Sequence, residues 1–167
     1  MRRPADREGP SQETTGLLHI FVDADACPVK QEIYRVAGRY GLGTTLVANS
    51  WMQVPLDETI ALVVVQDGFD AADDWIAERA GPGHVVITTD IPLAARCLER
   101  GAEVLSPTGR PFTSDNIGDA LATRELLSEL RQTGAVAGGP APFTPKDRSR
   151  FLQELDRMVQ GIRRRAT

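Results

Sequence analysis

The stretch FVDADACP, residues 21–28, places Asp23 and Asp25 at the end of an apolar run and just before a proline. Side chains two positions apart in an extended segment project to the same side, so both carboxylates can face one centre. Clustered carboxylate oxygens are the ligands that Mg²⁺ and Mn²⁺ take in proteins. Such an ion activates water and stabilises the transition state of phosphoryl transfer. The stretch therefore predicts a site for a divalent cation.

Four further aspartates lie where an apolar run ends or a helix begins: Asp70, Asp73, Asp74 and Asp90. Asp90 directly follows the apolar run HVVITT, as Asp23 follows its own run. We predict that Asp90 joins Asp23 and Asp25 as a catalytic and metal-binding residue. The other three aspartates are candidates to complete the metal shell.

A structural interpretation stays open for several of these acids. Asp favours the turn before a helix, so Asp25 could cap the helix that begins near Pro28, with Asp23 merely facing solvent. Asp73 and Asp74 lie in the first turn of a predicted helix, where negative charge complements the helix dipole. Asp115 and Asn116 also open a helix, which makes capping an alternative for them.

Strand-like apolar runs alternate with helical patterns along most of the chain. Five runs are interpreted as strands: residues 17–22, 44–49, 60–65, 84–89 and 102–106. Two helices, residues 114–132 and 146–164, follow the last of them. Because crossovers between parallel strands are right-handed, helices cover both faces of the sheet. The pattern predicts a three-layer α/β fold, with a mainly parallel five-stranded sheet of order 3-2-1-4-5 plus the two C-terminal helices.

This strand order makes strands one and four neighbours where the order reverses. In open parallel sheets, ligands bind at that point, outside the carboxyl ends of the strands. We therefore expect Asp23, Asp25 and Asp90 to converge there.

The chain is divided into three parts by composition. Residues 1–16 are polar and aperiodic, and we expect a disordered leader. Residues 17–156 form one α/β domain, and residues 157–167 are the end of the last helix and a basic tail. No apolar stretch approaches the roughly 18 residues of a membrane span, and the two cysteines form no CxxC pattern. A reduced, cytoplasmic protein that does not contact membranes is expected.

The net charge of −4 argues against a broad basic surface that coats nucleic acid. A small number of polar side chains could still contact phosphates near the site. The candidates for substrate binding are Arg110, Asn116, Arg124, Lys146 and Arg148. Each charged one is also unremarkable as a surface residue.

Several separated motifs resemble one protein family. They are VDADACP, GFDAADDWI, ITTDIPLAARCLERGAEVLSPTGRPFT, an NI, GGP and KDR, in this order. Together they resemble the YaiI/YqxD family of uncharacterised bacterial proteins, from about Ile20 to Leu155. The resemblance implies a PIN-like fold, related to Mg²⁺-dependent nucleases, in which Asp23 matches the first-strand aspartate and Asp90 the aspartate after the fourth strand. It does not extend to residues 1–16 or to the Arg-rich end.

These observations support three functional hypotheses. The first is a phosphodiesterase that uses Mg²⁺ or Mn²⁺, most simply a ribonuclease acting on single-stranded RNA. The second is a phosphatase of the haloacid-dehalogenase type, because its DxD motif also fits DADAC, although such enzymes need a lysine that Lys30 and Lys146 are poorly placed to supply. The third is a non-catalytic module that binds RNA or a protein at a metal-structured acidic site.

Overall fold

The computed structural model describes residues 18–66, 68, 70–135 and 141–166. The predicted disordered leader, residues 1–16, lies outside these ranges. Within them, no helix has the length and apolar character needed to cross a membrane.

One mixed sheet forms the middle layer of the molecule. Its strands are β1 (His19–Asp23), β2 (Gly43–Ala48), β3 (Ile60–Val64), β4 (His84–Ile87), β5 (Glu103–Leu105) and β6 (Pro111–Phe112). The order is β3-β2-β1-β4-β5-β6, and all neighbours pair in parallel except β5 and β6. The predicted order 3-2-1-4-5 is confirmed. These strands are short apolar runs because helices cover both of their faces.

The sheet has one strand more than the five that the sequence predicts. Pro111–Phe112 forms a sixth, antiparallel strand beside β5, in a segment to which the sequence pattern assigned no strand. A tight turn makes this pairing, since the amide of Ser106 donates to the carbonyl of Arg110 and that of Gly109 to the carbonyl of Ser106. A two-residue strand that begins with proline carries too little periodicity to be recognised in sequence.

Five helices complete the fold in the part of the chain that the structure describes. They are α1 (Lys30–Tyr40), α2 (Ala71–Arg79), α3 (Ile91–Glu99), α4 (Ile117–Gln132) and α5 (Pro145–Ala166). Successive residues of β1 face opposite layers, as the pleat requires. Ile20 and Val22 pack with α1 and α5, whereas Phe21 packs with α2 and α3. The three-layer arrangement follows from this alternation.

Helix α5 crosses the sheet and is fixed at both ends. At its start the backbone N–H of Thr144 donates to Oδ2 of Asp147, and the backbone N–H of Asp147 donates to the hydroxyl oxygen of Thr144. Buried side chains anchor its middle to the sheet: Phe151, Leu155, Val159 and Ile162. Near its far end Arg165 forms an ion pair of 3.2 Å with Glu103 of β5.

His19 has a structural role in the sheet. It is 7% exposed on β1, and its Nε2 lies 2.7 Å from Oγ1 of Thr45 on β2. Burial, with repulsion from His84 as a second cause, lowers the pKa of His19 to about 4.

We expect this histidine to make the protein acid-sensitive. The pKa of His19 in the folded state lies below its unfolded value of 6.5. Its contribution to the free energy of unfolding is therefore complete above pH 6.5 and is lost as the pH falls towards 4. Between pH 7.5 and pH 5 the free energy of unfolding should fall by about 2 kcal/mol on account of this group. Urea denaturation at both pH values measures the fall. His19→Gln should show a smaller one, and an equal fall in the variant would assign it to other groups.

Candidate functional site

The carboxyl ends of β1 and β4 lie side by side at the centre of the sheet. Val22 of β1 pairs with Ile87 of β4, so the residues that follow them, Asp23 and Thr88, are neighbours. β2 flanks β1 on its other side and β5 flanks β4, so this is the point at which strand order reverses. It is where parallel sheets bind ligands.

Thr88 connects two of the predicted catalytic residues. Its hydroxyl is buried and donates to Oδ2 of Asp23 over 2.8 Å. Oγ1 of Thr88 also accepts the backbone N–H of Asp90 over 3.0 Å. The sequence pattern assigns no role to Thr88, although its place two residues before Asp90, at the end of an apolar run, is a signal for one.

Asp90 has both a structural and a potential chemical function. It is the N-cap of α3, and its Oδ1 accepts the backbone N–H of Leu93 over 2.9 Å. Within the described residues, no hydrogen bond uses Oδ2 of Asp90 or Oδ1 of Asp23. Each half-buried carboxylate therefore has one oxygen fixed by the fold and one oxygen available to a ligand.

The acids at this edge repel one another. Burial is the main cause that raises the pKa of Asp23, with Asp90 and Asp25 adding to it and the Thr88 hydrogen bond opposing it. The pKa of Asp73 rises to about 6, first through burial and then through the charges of Asp90, Asp23 and Asp70. Asp23, Asp73 and Asp90 thus form one electrostatic cluster, which we call the acidic cluster. In the part of the chain that the structure describes, no Lys or Arg forms an ion pair with it.

The remaining predicted acids lie around this cluster. Asp25 is exposed and accepts two hydrogen bonds from Asn49, one from its backbone N–H at 2.9 Å and one from Nδ2 at 2.7 Å. It does not cap α1, which has no side-chain cap. Asp74 is exposed and pairs with Arg96 at 2.8 Å, and Asp70 is exposed at the start of α2. Their roles as metal ligands stay predictions.

The donor set suits a hard cation but is not closed around one. Among the described residues, no group of three Asp, Glu, His or Cys side chains is arranged to hold a metal ion. Mg²⁺ needs no such group, because it is commonly held by one or two carboxylates and keeps several waters. Asp23 and Asp90, with oxygen donors only and a free oxygen each, fit this mode of binding.

Three of the predicted substrate-binding residues form no side-chain hydrogen bond or ion pair within the described residues, and two of these three lie near the start of α5. Lys146 lies in the first turn of α5 beside an open depression of about 420 Å³ that Arg150 also lines. Arg110 lies near the same helix start, since the pKa of Asp147 is lowered by the Thr144 backbone and also by Arg150 and Arg110. Arg124 is exposed on a different helix, α4.

Two of the predicted contacts have structural partners. Arg148 donates to Oε1 of Glu32 over 2.9 Å and to the carbonyl of Pro28 over 3.1 Å. Glu32 is buried, and its other oxygen has no hydrogen-bond partner among the described residues. Asn116 accepts from the N–H of Thr113 and donates to the carbonyl of Pro111, which organises the turn before α4. Asn116 makes no side-chain cap bond to α4 itself.

Comparison with known proteins identifies the family of this chain. The family model described as "Uncharacterized BCR, YaiI/YqxD family" matches residues 21–161. The chain belongs to the YaiI/YqxD family. The match includes every predicted site residue, from Asp23 to Arg148.

Curated YaiI/YqxD relatives are similar over nearly their whole length. A "UPF0178 protein" of Rhodopseudomonas palustris (strain BisB18) is 56% identical over 145 residues, covering 87% of this chain and 94% of the relative. The "UPF0178 protein amb2838" of Paramagnetospirillum magneticum is 55% identical over 148 residues, covering 89% and 98%. That of Bradyrhizobium diazoefficiens, "UPF0178 protein bll3966", is 55% identical and covers 87% of each chain. No solved structure matches the chain.

Cys27 and the lysines of this YaiI/YqxD protein are not arranged as a catalytic set. Cys27 is 7% exposed, and burial raises the pKa of its thiol, which agrees with a packed residue. Lys30 donates to the carbonyl of Cys27 over 2.9 Å, and Lys146 is exposed on α5. Neither lysine forms an ion pair with Asp23 among the described residues.

Proposed function

We propose that this protein is a divalent-metal-dependent phosphodiesterase that acts on single-stranded RNA. The observation that carries the proposal is the acidic cluster at the carboxyl edge of a parallel sheet. Among the described residues no Lys or Arg forms an ion pair with Asp23, Asp73 or Asp90, although the charge of Arg96 lowers the pKa of Asp73 in part. Carboxylates that raise one another's pKa destabilise a fold unless a positively charged ligand offsets their repulsion. A PIN-like fold, implied by the motifs of the sequence, agrees with the strand order.

Each residue of the cluster has a distinct part in this proposal. Asp23 and Asp90 would hold Mg²⁺ or Mn²⁺, and Asp73 would approach it from α2. When bound, the cation polarises a phosphate and makes a nucleophile available from water. Thr88 keeps one oxygen of Asp23 in place and thereby orients the other. Asp25, held by Asn49, and the exposed Asp70 and Asp74 would contribute charge around the ion.

RNA in single-stranded form suits the exposure of this edge. The edge is open, and an unpaired strand can approach it more closely than a duplex. Lys146 and Arg110 lie near the start of α5 and are candidates for phosphate contacts. Arg150 lies beside them and forms an ion pair of 3.4 Å with Asp147. With a net charge of −4, binding should be weak and strongly reduced by salt.

Metal binding should be visible in stability without any substrate. We expect Asp23→Asn to be at least as stable as wild type in EDTA, since it removes one repelling charge while the amide oxygen still accepts from Thr88. Mn²⁺ should raise the melting temperature of wild type but not that of the variant. At a hundredfold excess over Kd the gain is about 2.7 kcal/mol. Asp115→Asn, an exposed acid outside the cluster, should respond like wild type. Equal Mn²⁺ shifts in wild type and Asp23→Asn would remove Asp23 from the metal site.

The direct test of function is cleavage. Wild type is incubated with labelled single-stranded and double-stranded RNA and DNA in Mg²⁺, in Mn²⁺ and in EDTA. Cleavage of single-stranded RNA with either metal, abolished by EDTA, is expected. Absence of cleavage for every substrate and metal contradicts the proposal.

A binding module without catalysis is the second candidate, and one observation favours it. No closed group of three metal-ligating side chains exists among the described residues, and a module that only binds RNA does not need one. The cleavage experiment separates the two candidates when it is combined with a binding measurement. RNA that is bound but never cut identifies the module.

A further inference from the structure

Trp51 has an unusual position for a tryptophan. It is 63% exposed, although a large aromatic side chain ordinarily buries most of its surface. It lies in the connection between β2 and β3, residues 49–59, which also carries the fully exposed Leu56. The only other exposed large hydrophobic residue in the described chain is Leu126 of α4.

The connection holds Trp51 outward on a fixed support. Met52 and Val54 alternate with it and pack against the core on the α1 face of the sheet. Asp57 closes the far end by accepting from the N–H and the hydroxyl of Thr59. Thr59 in turn accepts the backbone N–H of Thr44 through its carbonyl. The indole is therefore presented by an anchored segment.

Trp51 lies at the same edge of the sheet as the acidic cluster. It is two residues beyond Asn49, which directly follows β2 and donates twice to Asp25. Two residues span at most about 7 Å, so the backbone of Trp51 lies close to this Asn49–Asp25 pair. Asp25 is two residues beyond Asp23, which belongs to the acidic cluster.

We propose that Trp51 stacks on a nucleobase of single-stranded RNA and positions the adjoining phosphate towards the acidic cluster. This inference rests on the proposed function and names the substrate contact that it needs. Base stacking on an aromatic ring tolerates every base, so the contact would give affinity with little sequence preference. It would also compensate for the small number of cations near the site, since stacking does not depend on charge.

A single base fits this surface better than a protein partner does. One tryptophan offers about 250 Å² at most, whereas a stable interface buries roughly 800 Å² on each partner. The residues around Trp51 and Leu56 are largely polar: Asn49, Ser50, Gln53, Asp57, Glu58 and Thr59. Stacking needs only one exposed aromatic face, because every base has a π-face.

The other tryptophan supplies a matched control. Trp75 is half-buried on α2, with the Arg79 guanidinium 3.9 Å from its ring centre and Phe21 against its edge at 6.0 Å. Because the chain has two tryptophans, Trp75→Phe leaves Trp51 as the sole tryptophan, and Trp51→Phe leaves Trp75.

The experiment measures tryptophan fluorescence and binding in EDTA, where no metal-dependent cleavage occurs. The probes are a uridine oligonucleotide of about ten nucleotides and an abasic oligonucleotide of the same length and charge. We expect the uridine probe to quench the fluorescence of Trp75→Phe, and the abasic probe to leave it unchanged. Trp51→Ala should bind the uridine probe about 10- to 100-fold more weakly, and Trp51→Phe should retain most of the affinity.

The outcomes separate this inference from the proposed function. Base-dependent quenching without cleavage by wild type in any metal supports the inference and contradicts the nuclease. Cleavage by wild type with no quenching, and with unchanged affinity in Trp51→Ala, contradicts the inference alone. Equal quenching by the abasic probe shows that the ring contacts no base and overturns stacking. If Trp51→Ala instead converts a wild-type dimer into monomers, the indole belongs to a protein contact and the inference is wrong.

Discussion

Asp90→Asn is expected to lower the turnover of single-stranded RNA by about 10²–10⁴-fold, because a bound cation contributes several kcal/mol to the transition state and each 1.36 kcal/mol is a factor of ten. The substitution removes the charge that would hold the cation. It retains an amide oxygen that can accept the N–H of Leu93, and asparagine is as good an N-cap as aspartate. Stability and RNA affinity should therefore change little.

Three measurements on the same variant test this expectation. Single-turnover cleavage, fluorescence anisotropy with labelled RNA, and thermal melting report on chemistry, binding and folding in turn. Asp115→Asn provides the charge-matched control, since Asp115 is exposed and lies outside the acidic cluster. Turnover in Asp90→Asn equal to that of the control would exclude Asp90 from the chemistry. A large drop in melting temperature would instead show that its role is to cap α3.

Gly109→Ala is expected to lower the free energy of unfolding by about 3 kcal/mol or more. Gly109 has φ +84°, a conformation that costs an L-residue roughly 1–2 kcal/mol. A Cβ at this position would lie 2.6 Å from the backbone carbon of Arg150 and 2.6 Å from the backbone nitrogen of Phe151. Because backbone atoms cannot rotate away, α5 must shift, and the buried Phe151 shifts with it.

The control for this prediction is Gly38→Ala on α1. A Cβ there meets nothing within 4 Å, and alanine in a helix interior is favoured by about 0.5–1 kcal/mol. Urea denaturation of the two variants should therefore give changes of opposite sign. A Gly109→Ala protein as stable as wild type would show that the contact between the β5–β6 turn and α5 is loose.

Strand order could be predicted because local patterns determined it. Short apolar runs such as IALVVV indicate buried parallel strands, and right-handed crossovers leave few possible orders. The sixth strand could not be predicted, because its two residues form a strand only through a turn closed by Ser106 and Gly109. Its pairing depends on hydrogen bonds within that turn and leaves no repeating pattern.

The candidate site was predictable to a similar degree. Aspartates that follow apolar runs must reach the same edge of a parallel sheet, and this reasoning brought Asp23 and Asp90 together. The partners of the remaining residues were not predictable, since Asn49 is 24 positions from Asp25 and Arg148 is 116 from Glu32. Such pairings arise when distant elements pack together, and no local sequence pattern indicates which side chains will then meet.

The position of α5 also has a consequence for biosynthesis. Chains grow from the N-terminus at about 5–20 residues per second, and α5 is the last of the described elements to emerge. The face of the sheet that packs against α2 and α3 can be covered early. On the other face, Ile20 and Val22 of the sheet and Ile33 of α1 stay partly uncovered until Phe151 and Leu155 of α5 pack against them. A translating ribosome thus carries a half-covered sheet until α5 is made. Chains stalled before this point would present an apolar surface to the cell's chaperones and proteases.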